Sequence, residues 1–307
     1  MKAVVISGFG TPEVLQVKEV DKPEPKTNEL LIKVKAGTVT QGDVMLRKLH
    51  PMLMLPMRLF GVRRKKIAGH EFSGSVEKVG RDVILFKAGD QVFGTTTGLS
   101  VGANAEYICL PEKNKSCVLA IKPVNVSHEE AAALPVGGMT ALFLLQKGDI
   151  QSGHKVLIYG ASGSVGTYAV QLAKHYGAEV VAVCSTKNVE LVKSLGAEEI
   201  IDYTKEDYTK SSQTFDLIFD AVGKTSISEA KWLLKEGGKF VTVKTMTREI
   251  PENFAILTRL LETGGIKPVI DKHYPLEQAV EAHRYVEAGH KRGNVVIVVN
   301  HDQESKS

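Results

Sequence analysis

Cysteine is scarce in this sequence. Cys109, Cys117 and Cys184 are the only three in 307 residues. The number is odd and no pair has Cys-x-x-Cys spacing, which argues against a disulfide framework. Reduced thiols of a cytoplasmic protein are the reading that remains. A large excess of charge is also missing. The formal net charge is +4, with acids and bases mixed along the chain, so nucleic acid is not an expected partner. No apolar run reaches the length of a membrane-spanning helix, so no integral membrane segment is expected. The opening MKAVVISGFG holds too short an apolar stretch for a signal-peptide core. Internal repeats and low-complexity linkers are lacking as well.

What is present suits a globular enzyme of two domains. Hydrophobic residues make up 43% and charged residues 24%. Residues 1–120 are rich in strand signals, with candidates at Lys2–Ser7, Glu29–Ala36, Gly74–Val79, Gln91–Gly94 and Glu106–Leu110. Helical periodicity is rare there, so a β-rich, partly barrel-like domain is expected. From Ser127 the texture changes. Ser127 to Glu130 has the spacing of a capping box. Strands and helices then alternate, with apolar strands at Lys155–Tyr159, Val180–Cys184, Glu199–Asp202, Leu217–Asp220 and Lys239–Val243. In the first intervening helix Val165, Ala169, Leu172, Ala173 and Tyr176 share a face. Such alternation predicts a doubly wound parallel sheet. Five strands are counted where the full dinucleotide-binding arrangement has six. Helices are expected at Asn253–Glu262 and Leu276–Glu287, and a last strand at Asn294–Val299.

The segment with most chemistry is Gly160-Ala161-Ser162-Gly163-Ser164-Val165-Gly166, between the first strand of that series and its helix. The chain must turn sharply there, approach a pyrophosphate at Gly163, and pack the helix on the sheet at Gly166. Free N–H groups and the helix dipole then face an anion. Ala161 stands where the first glycine of G-x-G-x-x-G is usual. An NAD-selective site has an acid at the tip of the second strand; here Ser185, Thr186 and Lys187 follow Cys184. Two hydroxyls and a lysine suit a 2′-phosphate, so the expected cofactor is NADPH.

With these motifs in view, the chain resembles the medium-chain dehydrogenase/reductase superfamily, in its zinc-free, quinone oxidoreductase-like branch. The matching stretches are Gly69–Gly74, Gly89–Gly94, Ala131–Leu142, Gly160–Gly166, Leu195–Ala197 through Ile201–Tyr203, Asp220–Gly223 and Gly293–Val299. The resemblance implies an α/β protein: a GroES-like β-rich catalytic domain at 1–122, a Rossmann NADP-binding domain at 123–250, and a segment at 251–307 completing the first. It implies a cofactor in the cleft between them and hydride transfer to a quinone or an α,β-unsaturated carbonyl acceptor. Carried over by position, Thr140 lies near the nicotinamide, Ser162–Val165 hold the pyrophosphate, Ser185, Lys187 and Tyr203 surround the 2′-phosphate, and Ala221, Val222, Gly223 and Val243 line the ribose and nicotinamide. The lysine that many relatives carry after the second strand falls at Asn188 here.

Zinc-dependent alcohol dehydrogenases hold catalytic metal with Cys, His and Cys; the matching positions are Thr40, His70 and Val136. A hydroxyl and an isopropyl group do not replace thiolates, so no metal is expected. Without a Lewis acid, reduction of an electrophilic acceptor is easier than alcohol oxidation. The candidate catalytic residues are Thr40, as a donor to the acceptor oxygen, Asp43 and Arg47, as a pair fixing the loop, and His70. Two segments bear on specificity. His50–Lys66 combines methionines, leucines and a basic cluster, and reads as a wall for a hydrophobic acceptor, as internal packing, or as a membrane-surface contact. Thr245–Glu252 is short where relatives have a further strand, which puts the homodimer of many members in question. The alternatives are an NADP-dependent alcohol or aldehyde dehydrogenase and an NADPH-binding protein without turnover.

Overall fold

The computed structural model describes residues 1–50 and 65–301. The part of the expected acceptor wall at residues 51–64 therefore lies outside the described residues. Two compact units emerge, Met1–Val136 with Ile270–Ser307, and Gly137–Val269. These bounds differ from 123–250 and 251–307.

The first unit is built on strands. β1 (Lys2–Ile6) and β2 (Leu15–Glu19) pair antiparallel. β3 (Glu29–Thr38) is followed by a short helix α1 (Gln41–Lys48). β4 (Glu71–Val79), β5 (Gln91–Thr95), β6 (Tyr107–Pro111) and β7 (Leu119–Ile121) come next. β3 is the hub: Leu30, Ile32 and Val34 face the core, and the strand pairs antiparallel with both β4 and β6. Ser127 caps α2 (His128–Ala133) in the expected box, accepting from Glu130 N while the Glu130 side chain accepts from Ser127 N.

α3 (Pro135–Lys147) leads into the second unit. β8 (Lys155–Tyr159), α4 (Ser164–His175), β9 (Glu179–Cys184), α5 (Val189–Ser194), β10 (Glu199–Asp202), β11 (Phe215–Asp220), α6 (Ile227–Ala230) and β12 (Leu234–Thr242) alternate as the sequence pattern predicts. All five strands are parallel, in the order β10-β9-β8-β11-β12. Burial on both faces explains the unbroken apolar runs; Val180 to Cys184 are all buried. No sixth strand joins this sheet among the described residues. The order reverses between β8 and β11, where a doubly wound sheet leaves a crevice at its carboxyl ends.

α7 (Pro251–Glu262) belongs with this second unit. Its apolar stripe, Phe254, Leu257, Leu260 and Leu261, is buried. Asn253 and Gln146 exchange reciprocal amide hydrogen bonds of 2.9 and 3.1 Å, which ties the helix to α3. The chain then returns to the first unit as β13 (Ile270–Pro275), α8 (Ala279–Glu287) and β14 (Asn294–Val298). β14 pairs antiparallel with β3 and parallel with β13. α8 buries Ala279, Ala282, His283 and Val286, an i, i+3, i+4, i+7 face.

Candidate active site

The glycine turn sits at the carboxyl end of β8, on the edge of that crevice. Gly160 has φ of 79°, and a Cβ there would meet Val222 Cγ2 at 2.2 Å. A Cβ on Gly166 would lie 2.2 Å from Gly160 O, so close packing of helix and turn requires glycine. Gly163 differs. Its Cβ would meet only Gly160 O, at an ordinary 3.5 Å. Among the described residues, the protein leaves room for a side chain here.

Gly163 is also the N-cap of α4 and brings no side chain to cap it. The first-turn N–H groups of Val165 and Gly166 have no carbonyl one turn back to bond. An open backbone cradle at a helix N-terminus, at the switch point of a parallel sheet, fits a pyrophosphate. Ser162 and Ser164 flank it, both half-buried. Thr140 lies on α3, half-buried, in the same unit.

At the end of β9, Ser185 is buried and begins a 3-10 turn over Thr186–Asn188. Lys187 and Tyr203 are exposed. The Thr186 hydroxyl is not available to an anion: it donates to Asp202 Oδ2 at 2.5 Å. Hydrogen bonds from Thr186 and Thr204 hold the Asp202 carboxyl at a pKa of about 2. A carboxylate thus does stand near this strand end, supplied by β10. The strand-tip pattern missed it because the acid follows Glu199 by three residues, not Cys184.

The loop after β11 is organised by Asp220, fully buried. Its Oδ1 accepts from Val222 N at 2.9 Å and Gly223 N at 2.8 Å, and its Oδ2 from Thr225 N and Thr242 Oγ1. Ala221 N donates to Tyr159 O, and Val243 N to Asp220 O. Ala221, Val222, Gly223 and Val243 are therefore brought together at the carboxyl ends of β11 and β12.

A second constellation lies in the first unit. Thr40 caps α1: its hydroxyl accepts from Asp43 N at 3.1 Å and donates to Asp43 Oδ2 at 2.6 Å. His70 Nδ1 lies 2.5 Å from Asp43 Oδ1. Burial alone would raise the Asp43 pKa, but the charge and hydrogen bond of His70 and the Thr40 bond hold it well below the usual range. The expected Asp43–Arg47 pair does not form. Arg47 turns to Glu287 and to Gly10 O instead, because the cap geometry points Asp43 toward His70. Thr40 likewise has its proton committed to Asp43, so it is not a free donor to a substrate oxygen.

Beside this dyad is a cavity of about 30 Å³ lined by Asp43, Arg47, Lys65, His70 and His283. Arg47 Nη1 and both ring nitrogens of His283 are buried without a hydrogen-bond partner among the described residues. The space and the polar atoms suit one water molecule. Burial pushes the His283 pKa down to about 4, with Asp43 opposing and Arg47 assisting. Next to His70, Glu71 is fully buried and its pKa is pushed up to about 8 by burial, against hydrogen bonds from Thr38 and Val136 N.

The sequence matches the alcohol dehydrogenase GroES-like domain over residues 26–123 and zinc-binding dehydrogenase families over residues 164–265 and 244–297. It is 36% identical to 2-methylene-furan-3-one reductase of Solanum lycopersicum, over 97% of this chain and 79% of that protein. The chloroplastic NADPH-dependent alkenal/one oxidoreductase of Arabidopsis thaliana is 33% identical over 97% of this chain and 79% of its own. The solved quinone oxidoreductase of Coxiella burnetii superposes with a TM-score of 0.86 at 30% identity, covering 98% of this chain and 99% of that one.

The chain belongs to the medium-chain dehydrogenase/reductase superfamily.

In this medium-chain dehydrogenase/reductase, the three positions matching a catalytic zinc site hold one metal-binding side chain, His70. Thr40 is engaged in its capping box, and Val136 contributes only its backbone N–H, 2.5 Å from Glu71 Oε1. A tetrahedral Cys and His site does not fit that donor set. Among the described residues no group of three or more His, Cys, Asp or Glu side chains is arranged to hold a metal, and no helix is long and apolar enough to cross a membrane. The sequence reading missed Asn188, Asp202 and His283. Of these, only Asn188 had a signal, its place just after the second strand.

Proposed function

We propose that this chain is an NADPH-dependent reductase delivering hydride to a quinone or an α,β-unsaturated carbonyl compound, without a metal. The observation that carries the reading is the open face at Gly163, with an uncapped α4 beneath it and the Ser162 and Ser185 hydroxyls beside it. The acceptor class follows from the names of relatives that match nearly the whole chain.

Residues 162–166 would hold the pyrophosphate through backbone N–H groups. Ser185, Lys187 and Tyr203 would meet the 2′-phosphate, while Thr140, Ala221, Val222, Gly223 and Val243 would line the ribose and nicotinamide. When bound, the nicotinamide supplies the hydride. The chain's own groups serve the acceptor. Asp43 accepts from His70 Nδ1–H and so fixes the orientation of the ring. Thr40 and the α1 cap hold Asp43 in place.

The test is oxidation of NADPH against quinones, alkenals, enones and aldehydes, with NADH for comparison and metal analysis of the same preparation. Turnover of enones or quinones with NADPH preferred supports the reading. Alcohol-dependent NADP reduction with stoichiometric zinc would replace it with an alcohol dehydrogenase. Tight NADPH binding with no turnover on any acceptor would leave a nucleotide-binding protein.

A further inference from the structure

Asn188 closes the 3-10 turn after β9 and is 6% exposed. Its amide nitrogen reaches two hydroxyls from different elements. Nδ2 donates to Ser162 Oγ at 2.9 Å, on the glycine turn, and to Ser185 Oγ at 3.2 Å, at the strand end. Both amide protons are thereby used. A serine hydroxyl that accepts keeps its own proton to give, and neither Ser162 nor Ser185 donates to a protein acceptor among the described residues. The amide carbonyl tells the same story from the other side. Asn188 Oδ1 is buried and has no hydrogen-bond partner among the described residues. An apolar residue would avoid that cost. What the asparagine does in this place is donate.

The neighbouring hydroxyl shows the opposite wiring. Thr186 gives its proton to Asp202 and presents no donor. Of the hydroxyls of Ser162, Ser185 and Thr186, the first two keep protons to give and the third does not, and the two are those Asn188 touches.

We infer that Asn188 is a positioning residue for phosphate recognition: by donating to Ser162 and Ser185 it leaves the Ser162 proton to the pyrophosphate and the Ser185 proton to the 2′-phosphate, and through Ser185 it favours the 2′-phosphorylated dinucleotide. The inference rests on the proposed NADPH site. It assigns the preference to a neutral amide acting through Ser185, in addition to the exposed Lys187.

The experiment is calorimetric titration of the full chain with NADPH, NADH and adenosine 2′,5′-bisphosphate. The proteins are wild type, Asn188→Leu, Asn188→Asp, Ser162→Ala, Ser185→Ala and the double variant Asn188→Leu/Ser185→Ala. Asn188→Leu removes the donor without adding charge. It should weaken NADPH and the bisphosphate about tenfold, the effect of one hydrogen bond, and NADH much less. Asn188→Asp can only accept and draws both serine protons inward, so its loss should be larger. In the Ser185→Ala background, Asn188→Leu should cost less than it does alone. Equal weakening of NADPH and NADH, or full additivity in the double variant, would overturn the inference. Should Asn188→Leu fail to fold, unchanged NADPH affinity in both Ser162→Ala and Ser185→Ala would overturn it independently. If wild type binds none of the three ligands, the failure lies with the NADPH site itself.

Discussion

His70 Nδ1 lies 2.5 Å from Asp43 Oδ1, and the same carboxylate closes the N-terminal cap of α1 through Thr40. One buried side chain thus serves a helix end and a histidine at once. Asp43→Ala leaves the histidine and the Thr40 N–H without their acceptor. The expected loss of stability is about 3 kcal/mol, read as a lower urea midpoint at pH 7. Asp43→Asn keeps an acceptor oxygen and should lose less. Equal midpoints for wild type and the alanine variant would show that the dyad holds nothing together.

Gly163 and Gly166 separate ligand binding from folding. Gly166→Ala forces a Cβ to within 2.2 Å of Gly160 O and should lower stability by about 1–3 kcal/mol as well as nucleotide affinity. Gly163→Ala meets no close protein atom and should melt within about 1 °C of wild type. It should nonetheless lose most of its thermal upshift with NADPH, because the methyl occupies the approach to the pyrophosphate. Thermal melts with and without NADPH read both effects. A Gly163→Ala protein that keeps the full upshift would contradict the placement of the phosphate.

Asp220 accepts from Val222 N, Gly223 N, Thr225 N and the Thr242 hydroxyl. Asp220→Ala leaves these donors to find water in a buried place. We expect a loss of about 2–4 kcal/mol and faster amide hydrogen exchange confined to residues 221–225. Unchanged exchange there would mean that the loop holds itself.

His283 makes stability depend on pH in a defined direction. Burial pushes its folded pKa down to about 4, from the usual 6.5 of a histidine. As pH falls through that window the unfolded chain takes up a proton that the folded chain refuses, so stability falls; below about pH 4 the loss levels off. The shift is worth about 3 kcal/mol at most. Asp43, Arg47, Glu287 and His70 surround the ring, and Asp43 limits the shift. His283→Gln should lose less stability than wild type between pH 7 and pH 4.5. Parallel curves in urea would show that the ring is not held neutral.

The second unit was far more legible from sequence than the first. Strands buried on both faces must be apolar throughout, so β8 to β11 announce themselves, and their helices follow the 3.6 period. In the first unit β2 has one buried residue, Leu15, and β13 reads Ile-Asp-Lys-His-Tyr-Pro with none. Neither carries an alternating pattern, because β13 lies at a sheet edge and β2 in a two-stranded ribbon. The periodicity at Asn253–Glu262 predicts a helix, but amphipathicity says that a face is buried and not against what; α7 lies in the second unit.

The glycine turn, its serines and its place between strand and helix were determined by sequence alone. Backbone conformation and close approach restrict residue type locally, and such limits are visible one position at a time. Only the tertiary structure decided which polar group meets which. Asp43 faces His70 rather than Arg47, Asp202 takes the proton of Thr186, and Asn188 spans Ser162 and Ser185 across 26 residues of chain. Hydrogen bonds and ion pairs depend on ångström distances between elements, and those distances exist only once the elements have packed.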